Sequence, residues 1–419
     1  MRMQGNPHGN TALQSQLARV EHRRHIRAYA LILPLFIFIL ITFVVPIFTM
    51  LFRSVDNPLP DRFLPETLAL LSEWEAEQQP IPPEAVYATL ARELGHSYQQ
   101  RTIGKIATRV NYESGGTRSL IMKTGRRLSR GANVMMQQGN WTKALIKIDK
   151  RWGKREIWAT LRTVGERYTL AYYLAALDRR YDWDGTIVAV PEYRRIYLQV
   201  FGRTFWISLL VTVFCGLLGY PVAYLLANLS PRVSNLLMIM VLLPFWTSLL
   251  VRTTAWVVIL QKEGVLNDLL IFLGLIDDRI QLIFNRFGVI VAMTHILLPF
   301  MILPIYSVMK TISPLYMRAA QSLGATPFTA FWRVYFPQSV PGMGAGGLLV
   351  FILALGYYIT PALVGGPTDQ MVSYFIADHT NRSLNWGLAS ALGGLLLASV
   401  LVVYWLYNRL VGLDNMKLG

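Results

Sequence analysis

The sequence predicts an all-α polytopic membrane protein, and three observations carry that expectation. Hydrophobic residues make up 53% of the 419-residue chain against 15% charged, with a mean hydropathy of +0.37, too apolar for an ordinary soluble chain of this length. Six apolar runs are each about 20 residues long, enough for a helix to cross a hydrocarbon core of about 30 Å. Arginine and lysine, which bring the formal net charge to +16, gather between those runs. That is the pattern of membrane topology and lipid contact, and it argues against a nucleic-acid partner.

The first run follows Arg19, Arg23, Arg24 and Arg27. It is too long for a signal peptide and lacks a small-residue cleavage site, so a tail at 1–28 leads into a retained span at 29–52. The other runs lie near 204–228, 234–259, 287–309, 344–364 and 388–411. An end of the third at Arg252 would leave TTAWVVIL partly interfacial. The basic start places the N-terminus in the cytoplasm, and six crossings return the tail at 413–419 to the same side. The basic links, 229–233 with Arg232 and the stretch carrying Lys310, Arg318 and Arg333, then fall inside. Segment 260–286 balances Lys262, Arg279 and Arg286 with Glu263, Asp268, Asp277 and Asp278, which suits the outside.

Between the first and second spans, residues 53–203 form a long insert, external in this topology despite its basic residues, because long loops translocate largely regardless of charge. DRFLPETLALLSEWEAEQQ and PPEAVYATLAREL read as amphipathic helices with proline near the first turn. A break near 111–118 and a basic patch up to Arg130 precede WTKALIKIDKRWGKREIWATLRTVGERYTLAYYLAALDRRYDW, which again reads as helix. The insert is therefore a mostly helical extramembrane domain, its basic patch either a solvated face or a contact for an acidic partner.

The link SPLYMRAAQSLGATPFTAFWRVYFPQSVPG is more ordered than a membrane loop needs to be. Ser313 and Pro314 give an N-cap with proline at the first helical position, and Gly324 ends a short helix at 314–323. Thr326 and Pro327 repeat the start signal, Phe328, Phe331, Trp332 and Val334 are expected to pack the second helix, and Pro337 is expected to stop it. The result is a helix-turn-helix held between two spans. Small Ala319, Ala320 and Gly324 would let another protein's surface come close to its backbone.

Ala319-Ala320, Gly324, Val334, Phe336 and Pro337 at these spacings resemble the EAA loop of ABC-importer permeases. The stretches LLPFWTSLLVRTTAWVVILQKEGVLN and GYYITPALVGGPTDQMVSYFIADH resemble the spermidine/putrescine-type branch, and the resemblance covers 28–52 and about 201–412. It implies a type I importer permease fold, with a translocation core at 204–412 and a cytoplasmic coupling loop at 313–337. It also implies an ATPase-coupling surface on Arg318, Ala319, Ala320, Gly324, Ala325, Phe328, Val334 and Pro337. The implied partners are a pair of ATP-binding subunits carrying ATP and magnesium, a second permease subunit, a periplasmic substrate-binding protein and membrane lipid. The solute would be small and polar, a polyamine or an amino-acid derivative. Arg318 departs from the family pattern, which has glutamate there.

No GxxxxGK[ST] occurs, so the chain has no P-loop of its own, and it reads as a transport subunit rather than an enzyme. GMGAGG at 342–347 formally matches a dinucleotide motif but opens an apolar span without a preceding strand, so helix packing explains it better. Cys215 is the single cysteine, and the histidines show no metal-ligand spacing, so neither a metal nor a cofactor is expected on this chain. Polar residues inside spans mark the candidate pathway: Trp246, Thr247, Arg252 and Thr253 on the third, His295 on the fourth, and Tyr357, Tyr358 and Thr360 on the fifth. The rival expectation is an ion-coupled secondary transporter, for which broken helices and membrane carboxylates would speak.

Overall fold

A computed structural model of the chain describes residues 29–75, 79–136, 140–182 and 184–411. The tails predicted at 1–28 and 413–419, with the N-terminal arginines, lie outside the described residues. Helix α1 (Tyr29–Arg53) is a compact unit by itself, an uninterrupted apolar helix of 25 residues. Its turn widens at Leu40–Val44, just before Pro46. That spacing accommodates a residue with no N–H and a ring that would strike the preceding turn.

The second unit begins at Ser54. Its first part packs α2 (Pro58–Phe63), α3 (Pro65–Ser72), α4 (Glu84–Gln99), α5 (Ile103–Glu113), α6 (Thr117–Met136), α7 (Trp141–Ile148) and α8 (Arg155–Gly165) around one apolar core. The centre of that core is Trp152, Trp158 and Tyr87. Trp158 Nε1 and Tyr87 Oη each donate to the Trp152 carbonyl at 2.8 Å, and Trp152 Nε1 donates to Thr124 Oγ1 at 2.9 Å. Every polar tip in this aromatic cluster is thus satisfied, which is the condition for burying it. Buried Asn57 ties the start of the insert to α5 and to the end of α8: its Nδ2 donates to the carbonyls of Val164 and Glu166, and its Oδ1 accepts from Arg109 Nε.

After α9 (Ala171–Ala176) the chain forms a small antiparallel hairpin, β1 (Arg179–Tyr181) and β2 (Ile187–Ala189), where helix up to Trp183 is predicted. The signal was Asp184-Gly185, with Gly185 at φ +83°, a pair that favours a tight hairpin turn. Asp178, buried before β1, accepts from the backbone N–H groups of Ile196, Tyr197 and Leu198 and so caps the next helix.

That helix, α10 (Tyr197–Asn228), packs with α14 (Arg286–Thr311) and α17 (Phe336–Gly356) as the core of the apolar bundle. Glycines make the close approach possible. A Cβ on Gly342 would lie 3.0 Å from both the Pro304 carbonyl oxygen and Ile305 Cα, and one on Gly346 would lie 3.0 Å from the Met301 carbonyl oxygen. Helix α20 (Trp386–Val411) completes the long helices. Among the described residues, five helices are long and apolar enough to span a membrane, and a sixth span is reached if one bent pair counts as a single crossing.

That bent pair replaces the continuous third span expected at 234–259. Helix α11 (Pro231–Leu242) runs into a tight turn at Leu243–Trp246, and the chain then bends by 96° into α12 (Leu249–Leu260) and α13 (Val265–Phe272). Pro244 removes a backbone donor there, and Thr247 and Ser248 are extended. TTAWVVIL is therefore helical, on the far side of a break. The fifth span differs as well: α16 (Pro327–Ala330) continues without interruption through Phe331–Tyr335 into α17, a helix of 30 residues. Pro337 does not stop it. The wide turn at Phe331–Tyr335 makes room for the proline ring, as the turn before Pro46 does in α1. The actual break comes at Tyr357-Tyr358, before the short α18 (Ile359–Val364) and α19 (Val372–Asn381).

The two ends of α10 carry different structures. At its N-terminal end, Tyr197 Oη and His379 Nε2 lie 2.8 Å apart, His379 Nδ1 meets Ser383 Oγ at 2.9 Å, and Tyr112 Oη donates to the Ser383 carbonyl. These contacts join the insert to α19. Burial lowers the His379 pKa below its usual range, partly opposed by Asp378. A histidine kept neutral by folding binds fewer protons than in the unfolded chain, so its contribution to stability is lost as pH falls from about 6.5 toward its folded value. Thermal unfolding should therefore show a lower midpoint near pH 5 than near pH 7.5, with His379→Gln reducing that difference. An equal acid sensitivity in the variant would count against this assignment.

Candidate functional site

At the opposite end of α10, the link between α14 and α17 forms a compact knob. Helix α15 (Pro314–Ser322) starts where Ser313 Oγ accepts from the Leu315 N–H at 3.3 Å, with Pro314 in its first turn. It ends in a paired turn: Ala325 N–H donates to the Ala320 carbonyl at 3.1 Å and Gly324 N–H to the Gln321 carbonyl at 3.0 Å. Gly324 sits at φ +90°, a conformation open to glycine and strained for other residues. Thr326 then caps α16, its Oγ1 accepting from the Thr329 N–H.

The second helix of the knob faces the bundle with side chains other than those expected. Phe328 and Trp332 are 73% and 48% exposed, whereas Ala330 and Tyr335 are buried and Phe331 is half-buried. Phe331 and Tyr335 lie one turn apart and meet Tyr224 on α10 with ring centroids 5.6 and 5.3 Å away, and Tyr220 Oη bonds Ser339 Oγ at 2.9 Å. Phe328 and Trp332, also one turn apart, occupy the other face. Among the remaining predicted coupling residues, Arg318, Ala319, Gly324 and Pro337 are exposed, while Ala320, Ala325 and Val334 are half-buried. Lys310 Nζ reaches the Ala227 carbonyl at 3.4 Å, tying the base of the knob to the C-terminal turn of α10.

The predicted pathway residues gather around the two helix breaks. Trp246 and Thr247 lie in the first and are exposed; Tyr357 and Tyr358 form the second. Buried Thr253 on α12 and Thr360 on α18 bring the elements after both breaks together, their hydroxyls 3.2 Å apart. Arg252 lies within electrostatic range of His295 and Tyr357, and its buried Nε has no hydrogen-bond partner among the described residues. One member was missed: Trp256 donates from Nε1 to His295 Nδ1 at 3.1 Å. Its position four residues after Arg252, on the same face of α12, was the available signal. These side chains make the region polar, although none of the five long apolar helices among the described residues carries Asp or Glu.

Comparison with known proteins assigns the family. The family described as "Binding-protein-dependent transport system inner membrane component" matches residues 219–412. The spermidine/putrescine transport system permease protein PotB of Haemophilus influenzae is 35% identical over 231 residues, which are 54% of this chain and 81% of the relative. The protein of the same name from Escherichia coli K12 is 33% identical over 219 residues, 52% of this chain and 80% of the relative. A chain in the solved structure of a bacterial alginate ABC transporter, in complex with an alginate pentasaccharide-bound periplasmic protein, is 20% identical with a TM-score of 0.45. The match covers 54% of this chain and 81% of that one. The resemblance drawn from the EAA-like spacing is borne out, and family membership overrides the broken helices that would otherwise favour an ion-coupled carrier. At 35% identity over four-fifths of a curated relative, the chain belongs to the binding-protein-dependent inner membrane components, the permease subunits of ABC importers.

Proposed function

We propose that this permease moves a small polar solute inward by alternating access, powered by a separate pair of ATP-binding subunits that seat on the α15–α16 knob. The observation carrying this proposal is the knob itself: a capped, rigidly closed turn with large apolar side chains exposed, joined by an unbroken helix to the break at Tyr357-Tyr358. Closure of the ATPase pair shifts the knob, and the two helix breaks rearrange around Arg252, His295 and Tyr357. A second permease subunit provides the other half of the pathway. The insert, at the other end of α10, receives the substrate-binding protein from the periplasm, and both termini are cytoplasmic. The names of the PotB relatives place polyamines first among the solutes to be assayed. The five long apolar helices among the described residues carry no Asp or Glu, which supports a passage of modest affinity, with selection resting on the binding protein.

The chain's single cysteine, buried Cys215, makes sidedness easy to measure. In a Cys215→Ala background, Leu323→Cys should react with a membrane-impermeant maleimide only from the cytoplasmic side, and a periplasmic introduced cysteine in the insert, such as Lys147→Cys, only from outside. In proteoliposomes holding the complete transporter, uptake of labelled putrescine or spermidine should require ATP and persist when ion gradients are dissipated. Labelling of Leu323→Cys from outside, or gradient-driven uptake without ATP, would overturn the proposal. ATP-driven uptake of an amino-acid derivative instead would move only the solute.

A further inference from the structure

The exposed face of the knob carries charge of one sign. Leu315, Tyr316, Leu323, Phe328 and Trp332 stand out at 66, 55, 90, 73 and 48% exposure, and the charged side chains among them are Arg318 and Arg333, both exposed. No Asp or Glu occurs anywhere from Arg279 to Thr368. Arg286 pairs with Asp369, and Arg279 with Glu263 and Asp268, toward the start of α14, whereas the knob follows its end. Both arginines of the knob are therefore offered outward with no carboxylate of their own segment to neutralise them.

We infer that the ATP-hydrolysing partner receives this knob in an apolar groove rimmed by carboxylates, with Arg318 and Arg333 as the pairing cations. The inference rests on the coupling role proposed above and adds the sign of the partner's surface. A basic, aromatic face also suits anionic lipid, but a lipid-bound segment lies flat as one amphipathic helix. Here two short helices meet at a turn held by paired backbone bonds, and Leu323, the most exposed of the five apolar side chains, stands at that turn. A projecting, preorganised knob with aromatic and arginine side chains has the composition and shape of an interface anchor. The charge also selects. An ATPase with a basic residue opposite Arg318 is repelled, so this charge favours partners with an acidic groove.

The test uses the full-length permease in detergent or nanodiscs and its native ATP-binding subunit. Binding should weaken as salt rises from about 50 to 500 mM, because the pairing charges lie near the interface rim. The double variant Arg318→Glu/Arg333→Glu should bind at least about tenfold more weakly at low salt. Affinity should return when a groove carboxylate of the partner is replaced by lysine. Both arginines are exposed, so the variants should keep the thermal stability of the native chain, and this is checked alongside. Native-like affinity of the double variant at low salt would overturn the inference. So would unchanged ATPase affinity combined with charge-dependent quenching of a Leu323→Cys fluorophore by phosphatidylglycerol vesicles, which would assign the knob to lipid. If the double variant binds normally while Gly324→Leu still uncouples transport, the coupling role survives and the acidic groove does not.

Discussion

Gly324→Leu should leave the permease inserted and folded, yet reduce receptor-stimulated ATP hydrolysis to its basal level and cut uptake by about tenfold or more. The reason is conformational. A Cβ at this position would meet nothing within 4 Å, so space is not limiting, but the backbone stands at φ +90°. An L-residue held there is strained by about 1–3 kcal/mol, which is released if the turn relaxes and the bonds closing it to Ala320 and Gln321 are lost. Leu323 and the helix ends would then move away from the position the partner engages. The proposed mechanism specifies an order: Gly324→Asn should retain more activity than Gly324→Ala, because asparagine tolerates left-handed backbone better, and Gly324→Leu should retain least. Equal activity of the leucine and asparagine variants would show that the turn's conformation is irrelevant to coupling.

The second large effect is expected from Gly342→Val, for the opposite physical reason. A Cβ on Gly342 would lie 2.9 Å from Val308 Cβ and 3.0 Å from two backbone atoms of α14, Ile305 Cα and the Pro304 carbonyl oxygen. Backbone cannot rotate away as a side chain can, so α14 and α17 must separate along a seam that holds the bundle together. Overpacking a core typically costs about 1–3 kcal/mol, and a clash with backbone lies at or above the upper end. The yield of folded, detergent-extracted protein and its unfolding midpoint should both fall sharply. Gly347→Ala is the matched control, since its Cβ would meet only Thr212 Cγ2 at 3.7 Å, an ordinary contact. A Gly342→Val protein as stable as that control would refute the packing argument.

The apolar runs made the long helices legible, because about 20 residues without charge leave few alternatives to a crossing helix. Ser313, Pro314, Gly324 and Thr326 likewise announced the short helices of the knob through local capping chemistry. What stayed hidden depended on neighbours. Pro337 carries a stop signal, and only the widened turn before it lets the helix pass. Pro244 carries the same signal, yet there the chain does bend. A proline restricts the local options, and tertiary packing selects among them. The pathway residues were recognisable as polar groups in apolar runs, but their meeting at two helix breaks joins residues more than a hundred apart in sequence, such as Thr253 and Thr360. Phe328 and Phe331 show the same limit: periodicity identifies an apolar helix, while which face turns inward is decided by Tyr220 and Tyr224 on another element.

The helix from Pro327 to Gly356 has a mechanical consequence. Its 30 residues extend about 45 Å, so a tilt of about 5° pivoting at one end displaces the other by about 4 Å. A push on the knob would thus arrive at Tyr357 as a movement comparable with the width of a small solute, carried by a single lever arm and needing no relay of intermediate side chains.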